Sequence, residues 1–253
     1  MSEDLGPFLK RWAYDPERTI RMIRGQDGRR KVQVRLLLGI EQYDLDGRPD
    51  GMRPYGCPSA LAYWERRLRT YVRRRGSDAG FVIPPAACAR LREESLLYYY
   101  RYVILFQVGE YGRSARDTAR NLRCIDLVGR FAGTGEDREA MEQYRPYIVR
   151  MHRASRALLA MRRQQYDIAL REIEAGLRVL ESLPPREWPA YRFERKRSLV
   201  FLRRLRREVR RHRPLSPRER LERELRQAVQ AEDYERAARL RDLLSAMAKG
   251  GAG

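Results

Sequence analysis

The amino-terminal part of the chain alternates apolar and polar positions with a period of two. Residues 32–38 read Val-Gln-Val-Arg-Leu-Leu-Leu, which is typical of a strand with one buried face. Segments 19–24 and 40–45 are further strand candidates, and Asp27-Gly28 is typical of a hairpin turn. The pattern therefore predicts a small β-meander of two or three strands within a β-rich region, 1–58.

From about residue 59 onward, apolar positions recur with the spacing of helices. The breaks between the helical segments fall at glycine and proline residues, as expected for turns. Five or six helices joined by short turns indicate stacked helical hairpins, and they form a helical-repeat-like body over residues 59–213. The predicted helices are 58–75, 90–108, 112–131, 137–163, 167–182 and 189–212.

Two turns in this body resemble the turn of a tetratricopeptide repeat. Val108-Gly109-Glu110-Tyr111 is followed by Ser114, and Gln164-Gln165-Tyr166 is followed by Ala169. A small residue three positions after the aromatic allows two helices to pack closely. The copies are 55 residues apart, so we expect TPR-like hairpins and not a standard array. Ordinary helical hairpins are the alternative.

The carboxy-terminal segment 216–249 predicts a separate helical hairpin. Ser216-Pro217-Arg218-Glu219 has the form of a capping box with proline at the first helical position. Apolar residues then recur at helical spacing up to Glu232-Asp233, where the helix breaks and Asp233 can cap a second helix. A unit of this size does not bury its apolar stripe alone, so it requires a partner surface.

This segment resembles the UVR motif, the helical hairpin shared by the excision-repair subunits UvrB and UvrC and by some Clp ATPases and their cofactors. The core of that motif is an aromatic, Glu, any residue, Ala-Ala, two residues and Arg-Asp. The chain matches it with Tyr234, Glu235, Ala237, Ala238, Arg241 and Asp242. Glu232 departs from the usual leucine, which we expect to weaken one packing contact.

The resemblance implies a protein–protein contact module that pairs with a second such hairpin and has no catalytic residues. The implied partner is another UVR-containing protein or a second copy of the chain, bound through 216–249. We expect Arg241 and Asp242 to fix the hairpin by charge-assisted bonds. The expected partner-binding residues are Leu221, Leu225, Ala228, Tyr234, Ala237, Ala238, Arg241 and Leu244.

The rest of the chain resembles a group of bacterial proteins that carry a UVR motif at the carboxy terminus and have no assigned function. The residues that carry this likeness are Asp46-Gly47-Arg48-Pro49-Asp50-Gly51 with Arg53-Pro54-Tyr55-Gly56, and Arg116-Asp117-Thr118-Ala119-Arg120-Asn121-Leu122. The likeness implies a bacterial, mainly α-helical protein but no mechanism.

The composition adds a strong positive charge. The chain has 54 Lys and Arg residues against 34 Asp and Glu residues, a formal net charge of +20, which favours polyanionic partners such as DNA or RNA. Residues 192–213 concentrate this charge on one predicted helix, and a second cluster lies at 66–75. The predicted nucleic-acid contacts are Arg203, Arg204, Arg206, Arg207, Arg210 and Arg211.

Two other readings of the 192–213 helix remain open. The arginines can form a solvated face that reflects a GC-rich genome, or they can contact an acidic protein or a membrane surface. Steep salt dependence would distinguish nucleic-acid binding from an apolar hairpin contact.

Candidate catalytic chemistry is weak. Asp44, Asp46 and Asp50 lie close together, but they do not fit an EF-hand loop, and turn residues that cap their own backbone are favoured. Glu93-Glu94 is interpreted as a solvated helix start and Gly133-Thr134-Gly135 as a helix terminator. We expect the tyrosines 98, 99, 100 and 102 to pack between helices and not to stack on bases.

The remaining residue types exclude further classes of site. Cys57, Cys88 and Cys124 suit neither a disulfide framework nor a zinc pair, and two dissimilar histidines disfavour a histidine-based metal site or triad. We therefore expect no metal, no cofactor and no enzymatic activity. No apolar run is long enough for a membrane span and the amino terminus is not a secretory signal, so a cytoplasmic protein is expected.

These observations predict a non-catalytic bacterial adaptor that uses the UVR hairpin for protein–protein contact. The expected setting is DNA repair or Clp-type protein quality control. The alternative is a protein that binds nucleic acid directly through the helix 192–213, with the hairpin serving for dimerisation. An enzyme that acts through the acidic turn is a remote third reading.

Overall fold

The predicted β-meander is confirmed. The computed structural model describes residues 4–215 and 217–250, and in it three antiparallel strands pair in the order β1-β2-β3. They are β1 (Ile20–Arg24), β2 (Arg30–Leu36) and β3 (Gly39–Asp44). Met22 pairs with Val32 and Val34 pairs with Glu41. Leu37 and Leu38, which were expected to continue the strand, are exposed turn residues, because an uninterrupted Leu-Leu-Leu run gives no signal of where pairing stops.

The rest of the described chain is mainly helical, as predicted. A single helical turn lies at Pro54–Gly56. The helices are α1 (Gly6–Arg11), α2 (Ala60–Arg75), α3 (Pro85–Gln107), α4 (Tyr111–Phe131), α5 (Gly135–Glu142), α6 (Arg145–Arg162), α7 (Tyr166–Ser182), α8 (Pro189–His212), α9 (Pro217–Gln230) and α10 (Tyr234–Gly250).

Two helix boundaries differ from the expected ones by more than two residues. Helix α3 begins at Pro85, five residues before the predicted start, because a proline without an N–H is well suited to the first helical turn. The predicted helix 137–163 is divided into α5 and α6, and Pro146 lies in the first turn of α6 for the same reason. In both places proline starts a helix.

The described chain forms two compact units, one up to Arg207 and one from Glu208. In the first unit, the largest apolar cluster joins α2 to α3, α4 and the start of α6, around Leu61, Leu91 and Ile125. The sheet packs on α3 through Val32 and Leu45, which share a second cluster with Ile104 and Leu105 of that helix. The predicted boundary at residue 58 stays a prediction.

Three of the turns between helices have the same backbone. Gly109, Gln164 and Glu232 have left-handed φ values of 74°, 58° and 57°. In each turn the next amide donates to the carbonyl five residues earlier, at 2.8 Å for Glu110 and 2.9 Å for the other two. A tyrosine then begins the second helix. The three tyrosines are Tyr111, Tyr166 and Tyr234.

The residue three positions after each of these tyrosines is small and buried. Ser114, Ala169 and Ala237 hold this position in α4, α7 and α10. A small side chain lets the two helices of a hairpin approach closely, as expected from the two turns at 108–111 and 164–166. The helical hairpins are thus confirmed, whereas their likeness to tetratricopeptide repeats stays a prediction.

Candidate functional site: the carboxy-terminal hairpin and the basic helices

The hairpin α9–α10 is held together by a small apolar cluster. Ala228 of α9 packs against Ala237 and Leu240 of α10, and Leu221 and Leu225 cover the cluster in part. The carboxylate of Asp233 accepts a hydrogen bond from the amide of Arg236 at 3.0 Å, so Asp233 caps α10 as predicted. Ser216, the first residue of the predicted capping box, lies outside the described residues.

The structure divides the expected contact residues into two groups. Leu221, Leu225, Ala228, Ala237 and Leu244 face the interior of the hairpin, fully or in part. Tyr234, Ala238 and Arg241 are exposed, because they lie on a different flank of α10. The two alanines thus have different roles: Ala237 makes the close helix contact, while Ala238 is open to a partner.

The exposed group lies on one side of the hairpin. Arg236, on the other flank of α10, pairs with Glu224 of α9 at 3.6 Å. That ion pair fixes which edges of the two helices adjoin. On helical spacing, Tyr234 and Ala238 therefore share the opposite side with Val229 of α9, which is also exposed. This side, defined by Val229, Tyr234, Ala238 and Arg241, is called the tyrosine side.

Two details of the motif differ from expectation. Arg241 and Asp242 pair with each other at 3.8 Å and are largely exposed, so they do not fix the hairpin, and an exposed pair contributes about 0–1 kcal/mol. Glu232 is the exposed, left-handed residue of the turn. Its departure from leucine therefore leaves the apolar cluster of the hairpin intact.

The sequence reasoning missed some apolar residues of the hairpin. Leu240 is buried in the apolar cluster, and Leu243 and Met247 are exposed on the flank that carries Arg236. The spacing 237, 240, 244 places three residues on one helical face and could have identified Leu240.

The predicted nucleic-acid contacts on helix α8 differ in their exposure and in their ion pairing. Arg203 pairs with Glu181 at 3.1 Å, and Arg206 is half-buried. Arg204, Arg207, Arg210 and Arg211 are exposed. Leu202, Leu205 and Val209 are buried, in agreement with the narrow apolar stripe of the sequence. Whether these arginines bind nucleic acid stays a prediction.

The acidic turn after β3 is an ion-pair junction. Asp44 pairs with Lys31 at 2.9 Å, and Asp46 pairs with Arg116 at 2.6 Å. Only Asp50 of the three caps its own turn, by accepting a hydrogen bond from the amide of Met52 at 3.0 Å. Among the described residues, no group of three His, Cys, Asp or Glu side chains is placed to hold a metal ion.

A buried salt bridge extends this junction into the helices. Arg101, 0% exposed, donates to both carboxylate oxygens of Asp117, 1% exposed, at 2.7 and 2.9 Å. Arg101 also donates to the carbonyl of Asp44 at 2.6 Å, and Arg116 donates to the carbonyl of Leu45 at 2.6 Å. Together with the Arg116–Asp46 ion pair, these bonds join the segments 46–51 and 116–122, distant in sequence, at a polar contact between the sheet and α4.

Glu94 was expected to be solvated and is buried. Its carboxylate accepts hydrogen bonds from the amides of Ala60 and Leu61 at 2.7 and 3.2 Å, and it pairs with Arg120. Because α3 starts at Pro85, Glu94 lies within the helix and faces the amino terminus of α2, where a negative charge is stabilising. Glu93 is exposed as expected.

The other candidate residues take structural positions. The three cysteines are free and buried, and burial raises the pKa of Cys88 to about 11. Tyr98 and Tyr102 are buried between helices as predicted, whereas Tyr100 is exposed. Thr134 caps α5 by accepting a hydrogen bond from the amide of Asp137 at 3.1 Å, so 133–135 starts a helix as well as ending one.

Comparison with known proteins identifies the carboxy-terminal segment. Residues 218–249 match the family model of the UvrB/uvrC motif, so the chain contains a UVR motif, as the residues 234–242 indicated. UVR motifs occur in DNA-repair and Clp-related proteins and mediate protein–protein interaction. No curated protein and no solved structure matches the chain. Across the described residues, no helix is both long and apolar enough to cross a membrane.

Proposed function

We propose that this protein is a non-catalytic bacterial adaptor whose UVR hairpin binds a second UVR hairpin, in another copy of the chain or in another protein. The tyrosine side of the hairpin makes the contact, and the helical body presents a second partner. The adaptor works in DNA repair or in Clp-type protein quality control, the settings in which UVR motifs occur.

One observation carries this proposal. Tyr234 begins α10 after the same turn that precedes Tyr111 and Tyr166 in the body, yet Tyr234 is 69% exposed and the other two are half-buried. The ring of Tyr111 packs edge-on against Phe106, with the ring centroids 5.4 Å apart, and lies under the guanidinium of Arg162 at 4.7 Å. A tyrosine buries a large area when it is covered, so an uncovered one supports docking.

The electrostatics of the hairpin agree with an apolar contact. Residues 216–249 carry eight basic and seven acidic residues, so the hairpin has almost no net charge in a strongly basic chain. Ala238 beside Tyr234 lets a partner helix approach closely. Two such sides together provide the apolar surface that one hairpin of this size lacks.

The test compares the full chain with Ala238→Glu. The charged side chain projects from the tyrosine side, so we expect loss of self-association, or loss of a captured UVR-containing protein, with helix content unchanged. Size-exclusion chromatography with light scattering, circular dichroism, and a pull-down from bacterial lysate read by mass spectrometry measure these outcomes.

Ala246→Glu is the matched control, because Ala246 is exposed on α10 away from the tyrosine side. It should keep both the mass and the captured protein. A 1–215 truncation should behave like A238E. If the parent, A238E and the truncation have the same oligomeric state and capture the same proteins, the adaptor proposal is wrong.

Direct binding of nucleic acid through α8 is the second candidate. It is favoured by Arg204 and Arg207, which are exposed and make no ion pair within the described part of the chain. Reversal of Arg203, Arg204, Arg206 and Arg207 to Glu should then abolish retention of any DNA sequence in an electrophoretic mobility assay. Unchanged retention of the variant, or no retention of the parent at low salt, would contradict this candidate.

A further inference from the structure

Helix α2 presents a denser set of unpaired cations than α8. Six arginines of its sixteen residues are exposed: Arg66, Arg67, Arg69, Arg73, Arg74 and Arg75. The one acidic residue of the helix, Glu65, pairs with Arg123 at 3.3 Å. In the described parts of the chain, none of the six arginines forms an ion pair with a carboxylate.

The helix is held rigidly by its other face. Leu61 and Trp64 are buried in the main apolar cluster, and Leu68 packs against it. Glu94 anchors the first amides of α2 through the two hydrogen bonds from Ala60 and Leu61. Gly76 ends the helix in a left-handed residue with φ 76°. The arginines therefore project from a fixed scaffold, and the last three lie where the helix dipole favours positive charge.

Four of these arginines line a cleft of about 440 Å³ between α2 and the loop that follows it. The ring of Tyr71 forms part of the wall, and its hydroxyl donates to the carbonyl of Ala79 at 2.9 Å. Thr70 contributes a hydroxyl, and Phe81 contributes a second ring. The cleft is lined on its charged side by Arg66, Arg67, Arg74 and Arg75.

Several arginines of α8, by contrast, are bound within the protein. Arg195 donates to the carbonyls of Leu180 and Glu181 at 2.8 and 2.9 Å. Arg203 pairs with the carboxylate of Glu181. Donors that already serve the end of α7 contribute less to an external anion, whereas the six arginines of α2 meet no competing carboxylate among the described residues.

We propose that the cleft on α2 is a binding site for the phosphates of a nucleic-acid strand. Arginine forks bind phosphate oxygens in bidentate fashion. From Arg66 to Arg75 the helix axis extends about 13 Å at 1.5 Å per residue, and over that length of duplex axis each DNA strand carries about four phosphates, one per 3.4 Å. The site does not depend on the hairpin contact.

The exposed face of α2 argues against a membrane surface as the partner. No large apolar side chain is exposed between residues 60 and 75, and a helix that lies in a lipid interface inserts apolar residues on that face. A strand of phosphates, in contrast, needs only cations along the exposed face, which this helix provides.

The experiment measures the fluorescence anisotropy of a labelled 20-base-pair DNA duplex with the full chain, at salt between about 50 and 200 mM. R66Q/R67Q/R74Q/R75Q should lower the log–log salt slope by about 0.9 for each phosphate that the variant no longer neutralises, or about 3 to 4 in total. The lysine variant R66K/R67K/R74K/R75K should keep most of the slope, since it keeps the charge.

A control of equal charge is R163Q/R171Q/R178Q/R226Q, at exposed arginines on other parts of the chain. It should lower the slope by less than one. An equal decrease in both variants would show a general charge effect and overturn the site. So would no binding by the parent at low salt, or tighter binding of a poly-glutamate peptide or of anionic lipid vesicles than of DNA. Circular dichroism checks that each variant keeps its fold.

Discussion

The hairpins of the body and the carboxy-terminal hairpin share one turn but bury their second helices differently. In α4, ten buried residues cover about half of the helix surface, and α4 packs against α6 as well as α3. In α7, five buried residues form one apolar stripe. Among the described residues of α10, only Ala237 and Leu240 are buried. The same local backbone thus occurs in a core element and in an exposed module.

The difference lies in the residues that follow the shared tyrosine. Six positions after it, α4 has Asp117 in a buried salt bridge and α10 has Leu240 in a small apolar cluster. The turn is a local feature of the backbone, whereas the part of the second helix that is buried depends on how many other helices pack against it. Equivalent substitutions in the two kinds of hairpin should therefore have different effects.

The largest effect is expected for Asp117→Leu. This variant gives α4 of the body the leucine that α10 has at the equivalent position, Leu240. Arg101 would remain buried without its partner, and this costs about 3–5 kcal/mol of unfolding free energy. Chemical denaturation followed by circular dichroism measures the change. Asp126→Leu on the same helix is the control, because Asp126 is mostly exposed; a destabilisation of equal size there would contradict the comparison.

The next effect concerns the two alanines of the hairpin. Ala237→Glu inserts a charge into the cluster with Ala228 and Leu240, and overpacking alone costs about 1–3 kcal/mol. We expect amides of α9 and α10 to lose protection in hydrogen exchange. Ala238→Glu should leave that protection unchanged, and equally weakened protection in the two variants would show that both alanines lie inside the hairpin.

A smaller effect is expected on the pH dependence of the stability of the helical body. Burial lowers the pKa of His152, which contacts the hydroxyl of Thr118 and the carbonyl of Ala115, each at 3.1 Å. The folded state therefore binds this proton more weakly than the unfolded state. The stability is present above the ordinary histidine pKa of about 6.5 and falls as pH drops through the lowered pKa.

His152→Gln should remove this part of the acid sensitivity. The measurement is the midpoint of urea unfolding at pH 7.5 and at lower pH, compared between the parent and the variant. No histidine lies in α9 or α10, so amide protection in the hairpin should not follow this titration. An identical pH dependence in the variant would contradict the assignment.

The smallest effect tests the shared turn. Glu232 has φ 57°, a conformation that costs a residue with a side chain about 1–2 kcal/mol and glycine little, although glycine loses more entropy on folding. Glu232→Gly should therefore stabilise the hairpin by up to about 1 kcal/mol, seen as slower hydrogen exchange. Gly109→Ala is the reverse change in the body and should lower the stability of the body. Destabilisation by Glu232→Gly together with stabilisation by Gly109→Ala would contradict a common turn.

The local pattern predicted the elements well where the apolar period was clear. The strand segments, the helices from α2 onward and the motif of 234–242 follow from residue spacing and turn residues alone, whereas α1 was not predicted. The start of α3 was missed because Pro84-Pro85 was interpreted as a break and not as the first turn of a helix. The division between α5 and α6 was missed because the predicted helix 137–163 ran through Pro146. The likeness of the turn at Glu232 to the other two was missed, although Tyr234 and Ala237 repeat their tyrosine and small residue.

The candidate contacts were predicted less completely. Residue types placed Ala237 and Ala238 together, but only helix packing decides that Ala237 faces α9 and that Ala238 faces outward. The arginines of α2 and α8 look alike in sequence. Their difference arises because the carboxylate of Glu181 and the free carbonyls at the end of α7 bind α8 side chains.

The sequence by itself determined that the chain is mainly helical with an amino-terminal meander, strongly basic, and carries a UVR hairpin, because these properties depend on composition and on spacing within a few turns. The tertiary structure decided that Glu94 and Asp117 are buried partners of arginines, that Tyr234 is uncovered and that the arginines of α2 form no ion pair within the described chain. The physical reason is that burial and ion pairing depend on residues distant in sequence, as when segments 46–51 and 116–122 meet.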